Sequence, residues 1–266
     1  MNIIHAIILG IIEGVTEFLP ISSTGHMILA SKLLGLQETD FLKTFEIFIQ
    51  LGAILSVVVL YFKRLITSKD TIKKVIVAFI PTAILGLALH GVVKKYLLGS
   101  SWVVSISSIV GGILIIWFEK RNAKYQSRLN IQHGLNGDLN VGYTQAVKVG
   151  FYQAIAMVPG VSRSAATIIG GQISGVSRSD IVEFSFLLAI PTMLAASFLD
   201  LYKGVGEIGH NEIVLLATGF ITAFIVAILA IKGFISYIQK HNFIGFAYYR
   251  IIVGVLFLIL LSAFGL

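Results

Sequence analysis

The sequence predicts an all-α polytopic membrane protein built as an inverted-topology repeat, with one re-entrant helical hairpin plus three transmembrane helices in each half. Three observations carry that expectation. Hydrophobic residues make up 56% of the 266-residue chain and charged residues 12%, whereas soluble domains carry roughly a quarter charged residues; mean hydropathy is +0.92. Apolar stretches close to the ~20 residues that cross ~30 Å of hydrocarbon recur along the chain. Shifting the chain by about 140 residues places like on like, the signature of paired halves.

Taken in order, the chain opens on a segment that does not fit a span. Residues 2–36 are apolar but are broken by Pro20 and by the polar run Glu13-Gly-Val-Thr-Glu-Phe-Leu-Pro-Ile-Ser-Ser-Thr-Gly-His26. Such a segment is read as helix–turn–helix entering and leaving on one side, because irregular backbone at membrane depth must be covered by protein or line a wet cavity. Its first residues lack the basic start and small-residue cleavage site of a removable signal, so they are read as structure. Spans are expected over Phe45–Phe62, Val75–Val93 and Trp102–Phe118. Residues 143–175 repeat the broken pattern around Pro159-Gly-Val-Ser-Arg-Ser-Ala-Ala-Thr167, and Phe184–Leu201, Ile213–Ile231 and Phe246–Phe264 complete the set of spans. One integral membrane domain, 1–266, then has repeat halves at about 1–125 and 143–266.

The offset aligns Ala6, Gly10 and Glu13 with Ala146, Gly150 and Gln153, Ser22 with Ser162, and Gly35 with Gly175. An odd number of spans per half turns the second half upside down, and sites in such architectures sit near the midplane where the halves meet. The net charge of +7 does not point to nucleic acid. The basic residues sit in short runs between apolar segments, as topology signals do. Lys63, Arg64, Lys69, Lys73, Lys74, Lys120, Arg121, Lys124, Arg128, Lys232 and Lys240 mark one set of loops, against Lys94, Lys95 and Lys203 on the other. The first set is therefore expected in the cytoplasm, and the first hairpin is expected to open outward. The absence of cysteine excludes disulfides and thiolate metal sites.

The two broken segments hold the residues suited to chemistry. Polar groups inside apolar sequence are costly to bury and mark function. Glu13 and Glu17 are four apart and share a helix face. Two carboxylates there repel unless a proton or cation intervenes, and hard oxygen ligands suit Mg²⁺ or Ca²⁺. Ser22, Ser23 and Thr24 exceed what one helix cap needs; each either caps the next helix, faces a substrate, or attacks as a nucleophile if a base is near. His26, beside acids and hydroxyls, is read as catalytic. Arg163 needs an anionic partner, and its planar fork suits phosphate; a structural ion pair with Glu13 or Glu17 is the other reading. Ser162, Ser164 and the backbone amides at the next helix start add donors. Gly111-Gly112 and Gly170-Gly171 are expected to permit close helix packing. Arg178 is read as a topology signal, and Gln50, Asp200 and Arg250 as isolated polar groups lining a cavity or satisfying backbone. No Walker loop, dinucleotide fingerprint or His-Glu-x-x-His helix is present.

The two polar runs together resemble the bacterial undecaprenyl-diphosphate phosphatases of the bacitracin-resistance type. Residues 13–26 look like that family's first motif and 159–167 like its second; Phe45-Glu46…Ile49-Gln50-Leu51-Gly52 and Glu183-Phe-Ser-Phe-Leu-Leu-Ala-Ile-Pro191 are similar to further parts of its pattern. The likeness covers nearly the whole chain. Ala165 departs from the family's usual glycine and leaves Ser162, Arg163, Ser164 and Thr167 in place. The resemblance implies a C55 isoprenoid diphosphate substrate, hydrolysis to the monophosphate, a divalent cation, two re-entrant hairpins in an inverted repeat, and a possible homodimer. It also implies the bacterial inner membrane, with the site opening to the periplasmic side.

The mechanism expected from both readings has Glu13 and Glu17 holding the cation on the diphosphate. Arg163, with Ser162 and Thr167, grips the phosphoryl oxygens. The nucleophile stays open between His26, Ser23 and water. A polyprenyl-phosphate or other lipid transporter using the same anion site is the alternative, because inverted repeats and broken helices are also transporter features. A type-2 phosphatidic-acid phosphatase is disfavoured: Ser23-Thr24-Gly25-His26 is slightly like its Ser-Gly-His element, but its Lys…Arg-Pro and His…Asp elements are missing.

Overall fold

A computed structural model describes residues 1–97, 100–126, 139–204 and 210–264; side chains are described for fewer, and Lys94, Lys95, Lys124, Arg128, Asp200 and Lys203 lie outside that set. The described residues fold into helices and connecting turns with no strand. In chain order these are α1 Ile3–Thr16, α2 Ser23–Leu33, α3 Asp40–Leu60, α4 Phe62–Thr67, α5 Lys69–Tyr96, α6 Ser101–Gln126, α7 Tyr143–Ala154, a 3₁₀ turn Ile155–Met157, α8 Arg163–Ile173, α9 Arg178–Gly204, α10 His210–Ile238 and α11 Ile244–Phe264. Six of them, α3, α5, α6, α9, α10 and α11, are long and apolar enough to cross a membrane. The chain is a polytopic all-α membrane protein.

The spanning helices run several residues beyond the apolar stretches, because capping side chains start them earlier than hydropathy does. Thr39 Oγ1 accepts the Leu42 N–H at 3.1 Å to open α3, and Ser177 Oγ accepts the Asp180 N–H at 3.1 Å to open α9; such caps satisfy amides left without intrahelical partners. Pro81 and Pro191 lie inside α5 and α9 without ending them. The other two prolines, Pro20 and Pro159, lie in the turns.

The two broken segments are helical hairpins. At 1.5 Å per residue, the arms of α1 and α2 reach only about 21 Å and about 16 Å, too short to cross the hydrocarbon. α1 ends at Thr16, four residues before Pro20, and α7 gives way to a 3₁₀ turn at Ile155, four before Pro159. A proline ring crowds the carbonyl four residues back; here the polar residues that follow lead the chain into a turn, whereas Pro81 and Pro191 are followed by mostly apolar sequence and their helices continue. Each second arm begins after a non-glycine residue with positive φ, Ser22 (71°) or Ser162 (75°), and ends at Gly35 (65°) or Gly175 (88°). At both ends a 6→1 bond closes the last turn: Leu36 N–H to Ser31 O at 2.9 Å, and Val176 N–H to Gly171 O at 3.0 Å. The two hairpins thus share their positive-φ positions and their closing bonds at an offset of about 140 residues.

Small residues let each hairpin lie on a helix of the other half. A Cβ at Gly10 or Gly14 would sit 2.8 Å from a carbonyl of α10, and one at Gly150 would sit 2.1 Å from the Ala78 carbonyl of α5. Thr82 Oγ1 also donates to the Gly150 carbonyl at 2.8 Å. α3 packs on α10 through Gly52, and α6 on α11 through Gly112; this is close packing of the small-residue kind. Gly170 and Gly171 serve the same purpose against Tyr152 and Ile181. An aromatic cluster of Phe18, Tyr61, Phe186 and Phe234 fills the centre. Ile84, Leu87, Phe198 and Leu229 stand exposed on the outer surface, where lipid tails would meet them.

Candidate active site

The hairpins bring their turns together between α6, α9 and α11. Glu17 keeps helical angles, and its N–H bonds the Glu13 carbonyl at 3.0 Å. The two acids therefore share one face, as their spacing predicts, and both are buried. Glu17 is the junction. Its Oε2 accepts from Ser23 Oγ at 2.5 Å and its Oε1 from Arg163 Nη2 at 3.1 Å. The ion pair joins the halves across the two turns, and it coincides with the predicted anion site. Breaking a pair this poorly solvated by deleting one partner leaves the other charge stranded.

Arg163 is held from three sides. Nη1 donates to the Ser185 carbonyl at 2.9 Å and to Ser185 Oγ at 3.3 Å, and the guanidinium lies 5.8 Å from the centre of the Phe18 ring. Nε is buried without a partner. The fork is aimed, and it is not saturated.

The remaining expected residues divide. Ser164 Oγ donates to the Leu19 carbonyl at 2.7 Å, so the start of α8 holds the first turn. Ser162 Oγ accepts the Ala165 N–H at 3.2 Å and caps α8. Thr167 is fully buried, with its hydroxyl on Ser185 Oγ at 2.6 Å; it braces the serine that braces Arg163. Ser22 occupies the N-cap position of α2 with nearly the same φ as Ser162, but its side chain makes no cap bond. Its carbonyl instead lies 2.7 Å from His26 Nδ1. Thr24 is exposed and stands outside this network. His26 is half-buried and reaches Tyr249 OH with Nε2 at 2.8 Å; it bonds neither acid.

Glu13 and Glu17 fit a hard divalent cation. Both are buried on one helix face, four residues apart. Glu13 Oε1 is buried without a partner, and the donors are all oxygen. Among the described residues no third His, Asp or Glu completes a cluster, so further ligands would be oxygens of another kind, the Ser23 hydroxyl among them.

Arg250, read from the sequence as lining a cavity or satisfying backbone, satisfies backbone, and it does so at the centre of the site. It is 1% exposed and meets four carbonyls: Ser108 O (3.1 Å) on α6, Pro20 O (3.3 Å) in the first turn, and Gly160 O (2.7 Å) and Val161 O (3.0 Å) in the second. One guanidinium thus ties both turns to α6 and α11. Gly111 makes room, since a Cβ there would lie 2.6 Å from Nη2. Gly160, at φ 90°, is pressed so closely on α6 that a Cβ would fall 2.4 Å from the Val104 carbonyl. A lone arginine in an apolar run of α11 was the available signal. It named no partner because its partners are backbone. Arg178 also departs from expectation: it pairs with both oxygens of buried Glu119, at 3.0 and 2.9 Å, and fastens α9 to α6.

Comparison with known proteins agrees with this assembly. The family described as "Bacitracin resistance protein BacA" matches residues 6–256. A Bdellovibrio bacteriovorus protein named undecaprenyl-diphosphatase is 49% identical over 261 residues, covering 98% of this chain and 97% of its own. Proteins of the same name from Persephonella marina and Aquifex aeolicus are 50% and 46% identical, over 97% and 95% of this chain and 99% and 96% of theirs. A match over nearly the full length, which includes both turns that meet at Glu17 and Arg163, makes this chain a member of the BacA bacitracin-resistance family.

Proposed function

We propose that this chain hydrolyses undecaprenyl diphosphate to undecaprenyl phosphate and inorganic phosphate, returning the carrier lipid to cell-wall synthesis and so conferring bacitracin resistance. The single observation that carries this reading is the Arg163–Glu17–Ser23 junction, in which an arginine fork from one half faces a carboxylate and a hydroxyl from the other. The terminal phosphate takes the place of the Glu17 carboxylate on Arg163, whose fork spans two phosphoryl oxygens. Ser185 and Phe18 keep the guanidinium in position as it does so.

Hydrolysis breaks the bond from the terminal phosphorus to the bridging oxygen, which leaves on the lipid monophosphate; water supplies the new oxygen. Arg163 stabilises the charge that develops on the phosphoryl oxygens. Ser23, already hydrogen-bonded to Glu17, can give its proton there and attack, with water then releasing the phosphate. His26 attacking, or taking a proton from water, is the other route. Glu13 and Glu17 would hold a divalent cation, Mg²⁺ or Ca²⁺, which when bound neutralises diphosphate charge.

The hairpins are re-entrant and the halves inverted in the inner membrane, with the first hairpin and the headgroup entrance on the periplasmic side. The excess of basic residues on the loops around Lys63, Lys120 and Lys240 supports that orientation. The isoprenoid tail lies between helices in the bilayer, and a homodimer is compatible with this arrangement.

Phosphate release by the purified protein in detergent tests the reading. Release from a polyprenyl diphosphate, lost in chelator and restored by Mg²⁺ or Ca²⁺, is the expected result. Binding without release would favour a lipid transporter using the same anion site, and chelator-resistant release would remove the cation from the account.

A further inference from the structure

His26 has two partners, and together they decide which of its nitrogens carries the proton. Nδ1 lies 2.7 Å from the Ser22 carbonyl. A carbonyl only accepts, so in the neutral ring Nδ1 bears the hydrogen and Nε2 the lone pair. Tyr249 OH, 2.8 Å from Nε2, is then the donor. The two rings are parallel to within 2°, with centroids 5.5 Å apart. The hydroxyl is thus within hydrogen-bond distance of the nitrogen that carries the lone pair.

Gly25, His26, Ser105, Ser108 and Arg250 line a cavity of about 10 Å³ between α2, α6 and α11, at or below the size that admits one water. Tyr249 is not among the residues that line it, and its contact to Nε2 lies on the exposed side of the ring. The tyrosine is itself well placed, because its neighbour Arg250 is pinned by four carbonyls and fixes that turn of α11. Tyr249 remains 44% exposed, so its ring contributes less to packing than a core aromatic does.

We propose that Tyr249 is a positioning residue for the reaction, holding the His26 ring in one plane with Nε2 as the unprotonated nitrogen. The inference rests on the reading of His26 as the group that attacks or moves the proton. A phenol hydroxyl both donates and accepts. Nε2 has one lone pair, so the hydroxyl must turn away before Nε2 attacks or takes a proton; once Nε2 is protonated, the hydroxyl accepts from it and the contact re-forms. The bond also crosses from the first half of the chain to the second, coupling the α2 arm to α11.

The test is Tyr249→Phe in the full-length protein, with phosphate release from a polyprenyl diphosphate measured in detergent, beside His26→Ala and the double variant. Loss of orientation should lower kcat on the order of tenfold, with KM and the thermal midpoint nearly unchanged. Tyr249→Phe should add no further loss in the His26→Ala background. The ¹⁵N spectrum of histidine-labelled protein, with the His26 signals identified by their absence in His26→Ala, should show Nδ1–H alone in the parent. A mixture of tautomers should appear in Tyr249→Phe. Unchanged kcat in Tyr249→Phe, an equal loss on top of His26→Ala, or a drop in kcat matched by a drop in thermal midpoint would each overturn the inference. An inactive His26→Ala beside a normal Tyr249→Phe would remove this inference alone. A fully active His26→Ala would remove the catalytic reading of His26 and the inference with it.

Discussion

The turn at residues 17–22 and the turn at residues 157–162 share a backbone and differ in charge. Both follow a helix stopped by a proline, both reach positive φ at a serine, and both lead into an arm of 11 residues. The first carries Glu13, Glu17 and His26; the second carries Arg163, one residue after the strained Ser162, where the first has Ser23 one residue after Ser22. Two like backbones thus supply two irregular turns that meet, and the side chains on them place carboxylates on one side and a guanidinium on the other. Neither turn alone holds a complete set of groups for phosphoryl transfer, since one lacks a cation and the other lacks a carboxylate.

Removing the charge that distinguishes the second turn should do the most damage. Arg163→Ala should cut phosphate release by at least on the order of a hundredfold, because a charge-assisted bidentate phosphate contact in a dry site is worth several kcal/mol. Lysine at that position keeps charge but not the fork and should restore little. Turnover measured on equal amounts of folded protein decides this, and near-parental activity in Arg163→Ala would break the assignment.

A smaller effect is expected from the residue common to both turns. Arg250→Lys keeps the buried charge but cannot span Pro20 O, Gly160 O, Val161 O and Ser108 O together. Each lost bond from a charged donor is worth about 1.5–3 kcal/mol. The thermal midpoint in detergent should fall and activity should fall with it, whereas in Arg163→Ala, which also strands Glu17, the loss of turnover on folded protein should far exceed what its own fall in midpoint explains. Equal midpoints for the parent and Arg250→Lys would show that the turns are held by other means.

The smallest effect on activity, and the sharpest on topology, comes from single cysteines in this cysteine-free chain. Glu38 follows the first hairpin and Lys63 lies beyond α3, and both are exposed. In cells whose outer barrier has been made permeable, an impermeant thiol reagent should label Glu38→Cys. Lys63→Cys should react only after lysis. The reverse pattern would turn the hairpins over and move the headgroup entrance to the cytoplasm.

The sequence made the charged half of this comparison legible and left the tying half obscure. Glu17, Ser23 and Arg163 stood out because ionisable groups in apolar sequence are rare, and they do meet. The two hairpins could be read from a proline beside polar residues in a run too short to span. Arg250 was legible as a group that satisfies backbone, but not which backbone, and Ser185 was obscure, because every residue has a carbonyl and no sequence pattern marks the one that is used. The helix ends were missed for a related reason. Thr39 and Ser177 start their helices by capping, in polar sequence where hydropathy falls away. Thr167 was expected to touch substrate, and its hydroxyl is turned instead to Ser185; spacing alone does not tell which side of a short helix faces a site formed by another half.

A double-mutant cycle between the turns tests most directly whether they form one site. Phosphate release would be measured for the parent, Glu17→Gln, Arg163→Lys and the combined variant, at saturating substrate and Mg²⁺. If Glu17 and Arg163 act on the same phosphate, the combined variant should be little worse than the poorer single variant, because groups that act as a unit are not additive. Losses that multiply, each variant costing the same whether or not the other is present, would mean that the turns act independently and would contradict a shared site.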